Sequence, residues 1–461
     1  MSGDRKTISR RRFVSGASAA AGAGLWLVGS AGCTRVRPAV RPRRISPSEK
    51  LNVAFVGVGG RGGSNLKETS DEDGVNVVAL CDVDKERLDQ AGKKFPDAKQ
   101  YQDYRKLLDE MDKQIDAVVV STPDHTHAVA LMAAIKRGKH VYSEKPLAHS
   151  IQEIRELRKA AREHKVVTQL GNQGHSFPTI RTFCEWVWDG AIGNVHTIHA
   201  ACGATNTGLA QLARVKEEQP PVPETLDWDV WLGPAQLRPY HSAYLPGRWR
   251  GWTPFGNGTI GDWVCHVVDP VFWALDLGAP TTIECHAEGY DPAKYANDVF
   301  PRGMKVRFEF PARGKRGPIT LHWYDGFEKI PRPEGLDPNR EVPGTGAVVL
   351  GDKGGITYGS HGASGVRLFP DEKMKAYKQP EQKIPRVKNH HADWLRAIRS
   401  GQKAGSDFDY GGPLTEIALL GIIAMRMMDK KLEWDSEKMR FTNSAEANAF
   451  LNPPYRKGWT L

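Results

Sequence analysis

The chain has 461 residues, more than one hydrophobic core usually serves, and its ordinary apolar (40%) and charged (26%) fractions place it among soluble globular proteins of two domains. Its formal charge of +10 invites a nucleic-acid reading that the distribution excludes. Residues 1–44 hold ten Lys or Arg against one acid, Asp4, so the other 417 residues carry about +1 and build no cationic field for a phosphate backbone.

In chain order, Ser9-Arg10-Arg11-Arg12-Phe13-Val14 has the form of a twin-arginine signal, which addresses proteins that cross a membrane already folded. The apolar run Phe13 to Val28 is too short, and too diluted by Gly, Ala and Ser, for a good spanning helix; small residues follow at 29–32. Residues 1–33 are therefore expected to be an export signal, giving a periplasmic or cell-envelope location. Cys33 after Ala31-Gly32 has the form of a lipoprotein cleavage box, although Ser30 stands where Leu is usual, and a lipid on Cys33 would be the chain's one membrane contact. The other cysteines, 81, 184, 202, 265 and 285, are widely spaced and suggest neither a zinc site nor a disulfide framework. Residues 34–50, rich in Arg and Pro without periodicity, read as an extended arm.

From residue 51 the pattern alternates strand and helix. Strands are expected at 51–56, 75–80, 117–120, 141–143 and 166–170, and helices at 104–111, 128–137 and 151–164, which argues a doubly wound parallel sheet over residues 51–170. Beyond 171 the apolar residues alternate at 195–199, 283–287, 305–310 and 319–323 between Gly- and Pro-rich loops. A strongly apolar helix is expected at 413–428. Residues 171–461 thus read as an α+β domain with a large, mostly antiparallel sheet that binds substrate and joins subunits. Residues 200–250 and 325–385 carry little pattern.

Gly57-Val58-Gly59-Gly60-Arg61-Gly62 matches G-x-G-x-x-G between a strand and a helix. Gly57 permits the tight turn, Gly59 lets backbone N–H groups approach a pyrophosphate, and Gly62 lets helix and strand pack closely. Asp82, twenty residues on at the end of the second strand, can accept both ribose hydroxyls and would repel a 2′-phosphate, which favours NAD(H) over NADP(H). Ser121-Thr122-Pro123-Asp124-His125-Thr126-His127 and Glu144-Lys145-Pro146 follow the third and fourth strands, at the carboxyl ends where open α/β sheets place ligands. His125 and His127 lack an evident third ligand, so no metal is assigned.

These segments resemble the Gfo/Idh/MocA family, named for glucose-fructose oxidoreductase and inositol dehydrogenase. The resemblance implies cofactor contacts from Gly57, Gly59, Gly60, Arg61, Gly62, Asp82, Thr122, Pro123, His125, His127, Glu144 and Lys145. It also implies that Lys145 lies between nicotinamide and the hydroxyl being oxidised. The family's second signature, Asp-x-x-x-His, matches Asp262 and His266, with Asp269 three residues on; helical spacing puts Asp262 and His266 on one face. His266 near its unperturbed pKa could take the hydroxyl proton, and Asp262 could orient the imidazole or stabilise its cation.

Eight of the thirteen tryptophans fall between residues 186 and 273. Indole faces suit a pyranose but also fill cores, and Trp249 and Trp252 are the pair assigned to substrate. Asn172, Gln173 and His175, after the last strand of the first sheet, could bind sugar hydroxyls or simply form a hydrogen-bonded turn. His390-His391 reads as a helix start. The expectation is an NAD(H)-dependent oxidoreductase acting on a CH–OH group of a sugar, glycoside or polyol, a homodimer or homotetramer whose cofactor, exported with it, stays bound. Two alternatives stand beside it: an NAD-dependent glycoside hydrolase or lyase working by transient oxidation, and a catalytically silent sugar-binding lipoprotein. The known hydrolases of this scaffold differ from this chain at Glu144-Lys145-Pro146, which puts hydrolysis second.

Overall fold

A computed structural model describes residues 39–46 and 48–461; the twin-arginine motif, the apolar run, Cys33 and the first part of the arm lie outside the described residues. Six strands, β1 (Leu51–Val56), β2 (Val75–Cys81), β3 (Lys99–Tyr101), β4 (Ala117–Val120), β5 (His140–Ser143) and β6 (Thr168–Leu170), form a wholly parallel sheet. Its order is β3-β2-β1-β4-β5-β6. The central strands β1 and β4 are apolar at consecutive positions because both faces are covered. Val53 and Phe55 of β1 pack in one cluster with Trp394 and Ile398, while Ala54 and Val56 join the larger core with Leu131 and Ile135.

The crossovers are α1 (Arg61–Ser70), α2 (Lys85–Gly92), α3 (Tyr104–Met111), α4 (Asp124–Lys136) and α5 (Ile151–His164). Asp84 and Asp103 cap α2 and α3, and Ser150 with Glu153 forms a reciprocal capping box on α5. Two boundaries differ from expectation. Helix α4 begins four residues earlier, absorbing Asp124 to His127, and the short α2 and β3 had no periodicity long enough to register.

The second sheet has nine strands: β7 (Val195–Cys202), β8 (Thr282–His286), β9 (Lys305–Phe310), β10 (Ile319–Asp325), β11 (Thr345–Gly351), β12 (Gly354–Gly359), β13 (Arg367–Phe369), β14 (Leu432–Asp435) and β15 (Arg440–Phe441). They run in the order β13-β12-β11-β7-β10-β9-β8-β14-β15, antiparallel throughout except for the parallel pair β7 and β10. The helix Gly258–Val267 packs on β7, β10 and β11, and the buried helix Phe408–Arg426 lies between it, α5 and β8. The parallel sheet beside a mostly antiparallel one is the α/β architecture expected. Cys81, Cys184, Cys202, Cys265 and Cys285 are all reduced and buried.

The described part of the arm lies against the chain's own first domain. Arg43 donates Nε and Nη2 to the two oxygens of Asp116, each at 2.9 Å, and the Val40 carbonyl accepts from His164 Nδ1 at 2.8 Å. Asp116 precedes β4, so residues 39–46 cover the amino-terminal edge of their own sheet and leave the glycine turn at the other end uncovered.

Candidate functional site

At the carboxyl end of β1 the chain turns through Gly57 at φ 84°. A side chain there would put Cβ 2.6 Å from the Ser121 carbonyl oxygen, and one at Gly62 would overlap the Gly57 carbonyl. These two glycines bring β1, α1 and the β4 loop together at the point where the strand order reverses. Gly60, at φ 52°, has open space around it, whereas Gly59 is covered by the side chain of Arg87. Asp82 Oδ2 accepts the Val58 N–H at 2.9 Å and Oδ1 the Asp84 N–H at 3.1 Å, which fixes the carboxylate across the turn with lone pairs to spare. Burial pushes its pKa up despite those two donors. The buried Thr122 Oγ1 has no partner. A glycine-lined turn open at Gly60, an acid fixed beside it and an orphaned hydroxyl together fit a dinucleotide, with the Arg87 side chain lying over Gly59.

Glu144 is held from two sides: Oε1 accepts Asn65 Nδ2 at 2.9 Å and Arg61 Nε at 3.2 Å. Asn65, fully buried in α1, also donates to Ser121 Oγ at 2.9 Å; nothing in its neighbourhood of the sequence marks it. Next in the chain, Lys145 crosses to the helix Gly258–Val267. Its Nζ donates to Asp262 Oδ1 at 2.5 Å and to the Asp262 carbonyl at 2.9 Å, which leaves one of three ammonium hydrogens for a ligand. Arg250 Nε donates to the same Oδ1 at 3.0 Å, its guanidinium lying over the Trp249 ring, and was not among the expected residues.

Asp262 therefore anchors Lys145 and Arg250 and makes no hydrogen bond to His266, which corrects the imidazole-orienting role. Burial alone would raise the Asp262 carboxyl, but Lys145 and Arg250 outweigh it and hold the group well below the usual carboxylate range. His266 is also not near its unperturbed pKa. Burial, with Lys145 and His361 adding to it, pushes it well down, so the ring is neutral at physiological pH. Its buried Nδ1 has no partner, and its face stacks on His361 at 4.1 Å between ring centres.

Two expected cofactor contacts are structural instead. His125 sets Nδ1 3.2 Å from the Phe255 carbonyl and Nε2 2.9 Å from that of Trp231; His127 sets its nitrogens 2.8 Å from the carbonyls of Pro146 and Thr122. Both rings are buried and, being neutral, each donates one N–H to one of its two carbonyls while the other nitrogen packs against the second, so they brace the loops; burial lowers the pKa of both, His125 to about 3. Pro123 opens α4. Below them Asp124 Oδ2 accepts both Asn257 N–H donors, at 3.0 and 3.1 Å, and burial pushes its carboxyl up to about 7.

The expected substrate residues divide similarly. Asn172 Nδ2 donates to Asp269 at 3.0 Å, and His175 Nδ1 lies 3.0 Å from the same carboxylate, which also accepts from Tyr410 at 2.5 Å. Asn172 and His175 thus form a buried node that fixes β6 to the second domain. Gln173, half-buried, keeps an unpartnered Oε1, as does Asn172 Oδ1. Trp252 is 1% exposed and donates Nε1 to the Ala243 carbonyl, and Trp249 is buried in the same cluster with Trp231, Tyr244 and Phe255. Both tryptophans are core, not a sugar platform: their faces are already occupied. His390 and His391 open a helix capped by Asn389, as expected.

Comparison with known proteins agrees with this geometry. Residues 51–172 match a model described as an oxidoreductase family with an NAD-binding Rossmann fold, and residues 196–302 and 359–461 match that family's C-terminal alpha/beta domain. The chain belongs to the Gfo/Idh/MocA oxidoreductase family. Its cofactor is NAD(H). Among curated Gfo/Idh/MocA relatives, it is 38% identical over 160 residues to a glycosyl hydrolase family 109 protein of Solibacter usitatus, a match spanning 32% of this chain and 35% of that protein. It is 32% identical over 124 residues to an inositol 2-dehydrogenase of Salmonella typhimurium, covering 26% and 36%. The matches thus span roughly a third of these relatives. A solved structure of WlbA dehydrogenase from Bordetella pertussis, in complex with NADH and UDP-GlcNAcA, superposes with a TM-score of 0.59 at 16% identity, covering 85% of this chain and 99% of that one, which shows the shared fold.

Proposed function

We propose that the protein is an NAD(H)-dependent oxidoreductase acting on a CH–OH group of a sugar, glycoside or polyol. The observation that carries the proposal is the placement of Lys145 at the end of β5, where Asp262 holds its ammonium with one hydrogen free. Residues of the glycine turn and Asp82 would hold NAD(H), which when bound would supply the acceptor for the hydride from the substrate carbon. Lys145 points its free N–H at the hydroxyl oxygen and stabilises the charge that grows on it. Neutral His266, carried on the same helix as Asp262, takes the hydroxyl proton; its lowered pKa keeps it unprotonated throughout the neutral range. Arg250 keeps Asp262 ionised, so that the lysine stays paired and aimed.

Substituting Lys145 by Ala tests this. Turnover with a panel of hexoses, uronic acids and inositols should fall by at least about 100-fold, with NADH affinity nearly unchanged. Equal loss of both refutes the assigned role. The twin-arginine motif supports a cell-envelope enzyme that exports its cofactor bound, so NAD(H) should be released on denaturing the purified protein. Sugar binding without any change in nicotinamide absorbance would favour the silent binding protein.

The likeness to the family 109 glycosyl hydrolases favours a second reading, in which a glycoside is oxidised, undergoes elimination and hydration, and is reduced again with no net redox change. Release of nitrophenol from nitrophenyl glycosides without accumulation of NADH would select it.

A further inference from the structure

The loop Ser360 to Gly365 joins β12 to β13 and carries two non-glycine residues in the left-handed region, His361 at φ 53° and Ala363 at φ 58°. Its glycines stand at 362 and 365, so the strained position is held by an imidazole where glycine would be free of strain. The loop is firmly seated. Gly362 lies so close to Gly174 that a Cβ would overlap the Gly174 carbonyl, and its own carbonyl accepts Thr179 Oγ1 at 2.6 Å. Ser360 Oγ lies 2.8 Å from His361 Nδ1. The ring then stacks on His266, meets Trp263 edge-on at 5.6 Å, and stays partly exposed, with no partner for Nε2 among the described residues.

We propose that His361 is a substrate-contacting residue whose Nε2 hydrogen-bonds a second hydroxyl of the polyhydroxylated ligand, next to the one handled by Lys145 and His266. The inference rests on the oxidoreductase reading and deepens it. The strain is explained if the backbone is bent to place that nitrogen over His266. Burial, together with the nearby Lys145 and Arg61, keeps the ring neutral, so it presents one donor and one acceptor, with Ser360 taking one of them. An imidazole nitrogen left free beside His266 suits a ligand with a second hydroxyl next to the reacting one better than a simple alcohol.

The test uses the purified holoenzyme with the same sugar panel. H361A should raise KM about tenfold with kcat changed far less and NADH affinity unchanged. H361N, which tolerates the left-handed backbone and keeps a polar group, should recover part of the loss. H361G should match H361A in KM while its Tm stays equal to or above that of the wild type, because the strain is gone. An unchanged KM in H361A, or a fall in the Tm of H361G alongside its activity, overturns the proposal. If sugar binds without a change in nicotinamide absorbance, the oxidoreductase reading fails, and His361 is then judged by the same shift in Kd. If no sugar binds the wild-type protein, both are refuted.

Discussion

The ion pair that holds Lys145 gives the sharpest stability test, through Asp262→Asn. Lys145 and Asp262 lie 2.5 Å apart with side chains 11% and 17% exposed, and Arg250 shares the same oxygen at 3.0 Å. Asparagine keeps the shape and one carbonyl acceptor but leaves two cations facing a neutral amide. Stripping one partner from a buried pair costs 3–5 kcal/mol in general, and the residual exposure here takes the figure toward about 3 kcal/mol. For a cooperative body of about 420 residues the unfolding entropy is roughly 0.9 kcal/mol/K, so Tm should fall by about 3–4 °C. The sign with pH follows from a folded-state pKa held below the unfolded one: the contribution is complete above the unfolded value and is lost as pH falls through the lower, folded value. The gap in Tm between wild type and variant should therefore be flat from about pH 5 to 8 and close only in stronger acid. Calorimetry across that range is the assay, with NADH affinity preserved as the control for folding. An unchanged Tm, or a gap that shrinks toward alkaline pH, would refute the reasoning.

Gly62→Ala should weaken NADH binding and lower Tm together, because the new Cβ strikes the Gly57 carbonyl; a fluorescence titration of NADH checks it. Trp252→Ala should cost about 3–5 kcal/mol of stability, read by denaturant unfolding, while KM for any accepted sugar stays constant, since the indole fills a core. Asp124 has the opposite sign from Asp262: with its folded pKa raised to about 7, stability falls as pH rises from the unfolded value toward 7. Asp124→Asn should accordingly gain Tm relative to wild type at pH values above about 7 and gain nothing at low pH, measured by thermal unfolding in buffers of equal ionic strength.

The legible parts were those written in contiguous residues. The turn Gly57 to Gly62 and the partner Asp82 announce themselves because a tight turn, a close helix and a fixed acid each demand a residue type at a set spacing. Lys145, Asp262 and His266 came from short motifs, and the structure brings all three together, although in different pairings. The unseen contributors reach it singly from distant chain: Asn65 from α1, Arg250 from a loop, His361 from beyond β12. None belongs to a pattern, so nothing local distinguishes them from surface polar residues. Strands β11 and β12 escaped notice because glycine punctuates them, Gly346, Gly351, Gly354, Gly355 and Gly359 serving close backbone packing rather than turns alone. Trp249 and Trp252 misled for a chemical reason: an indole is equally suited to a sugar face and to a core, and only the neighbours decide.

The braces made by His125 and His127 bear on how the molecule moves. Their ring nitrogens face carbonyls of Thr122 and Pro146 on the nucleotide side and of Trp231 and Phe255 on the other, and the Asp269 node ties β6 to the same far layer. A hinge that swung the two sheets apart would have to expose this polar inventory all at once, at the cost of several unmade buried hydrogen bonds. The body should thus breathe at its loops and unfold as one piece, and exchange of a seated dinucleotide would wait on those loops rather than on an opening of the domains.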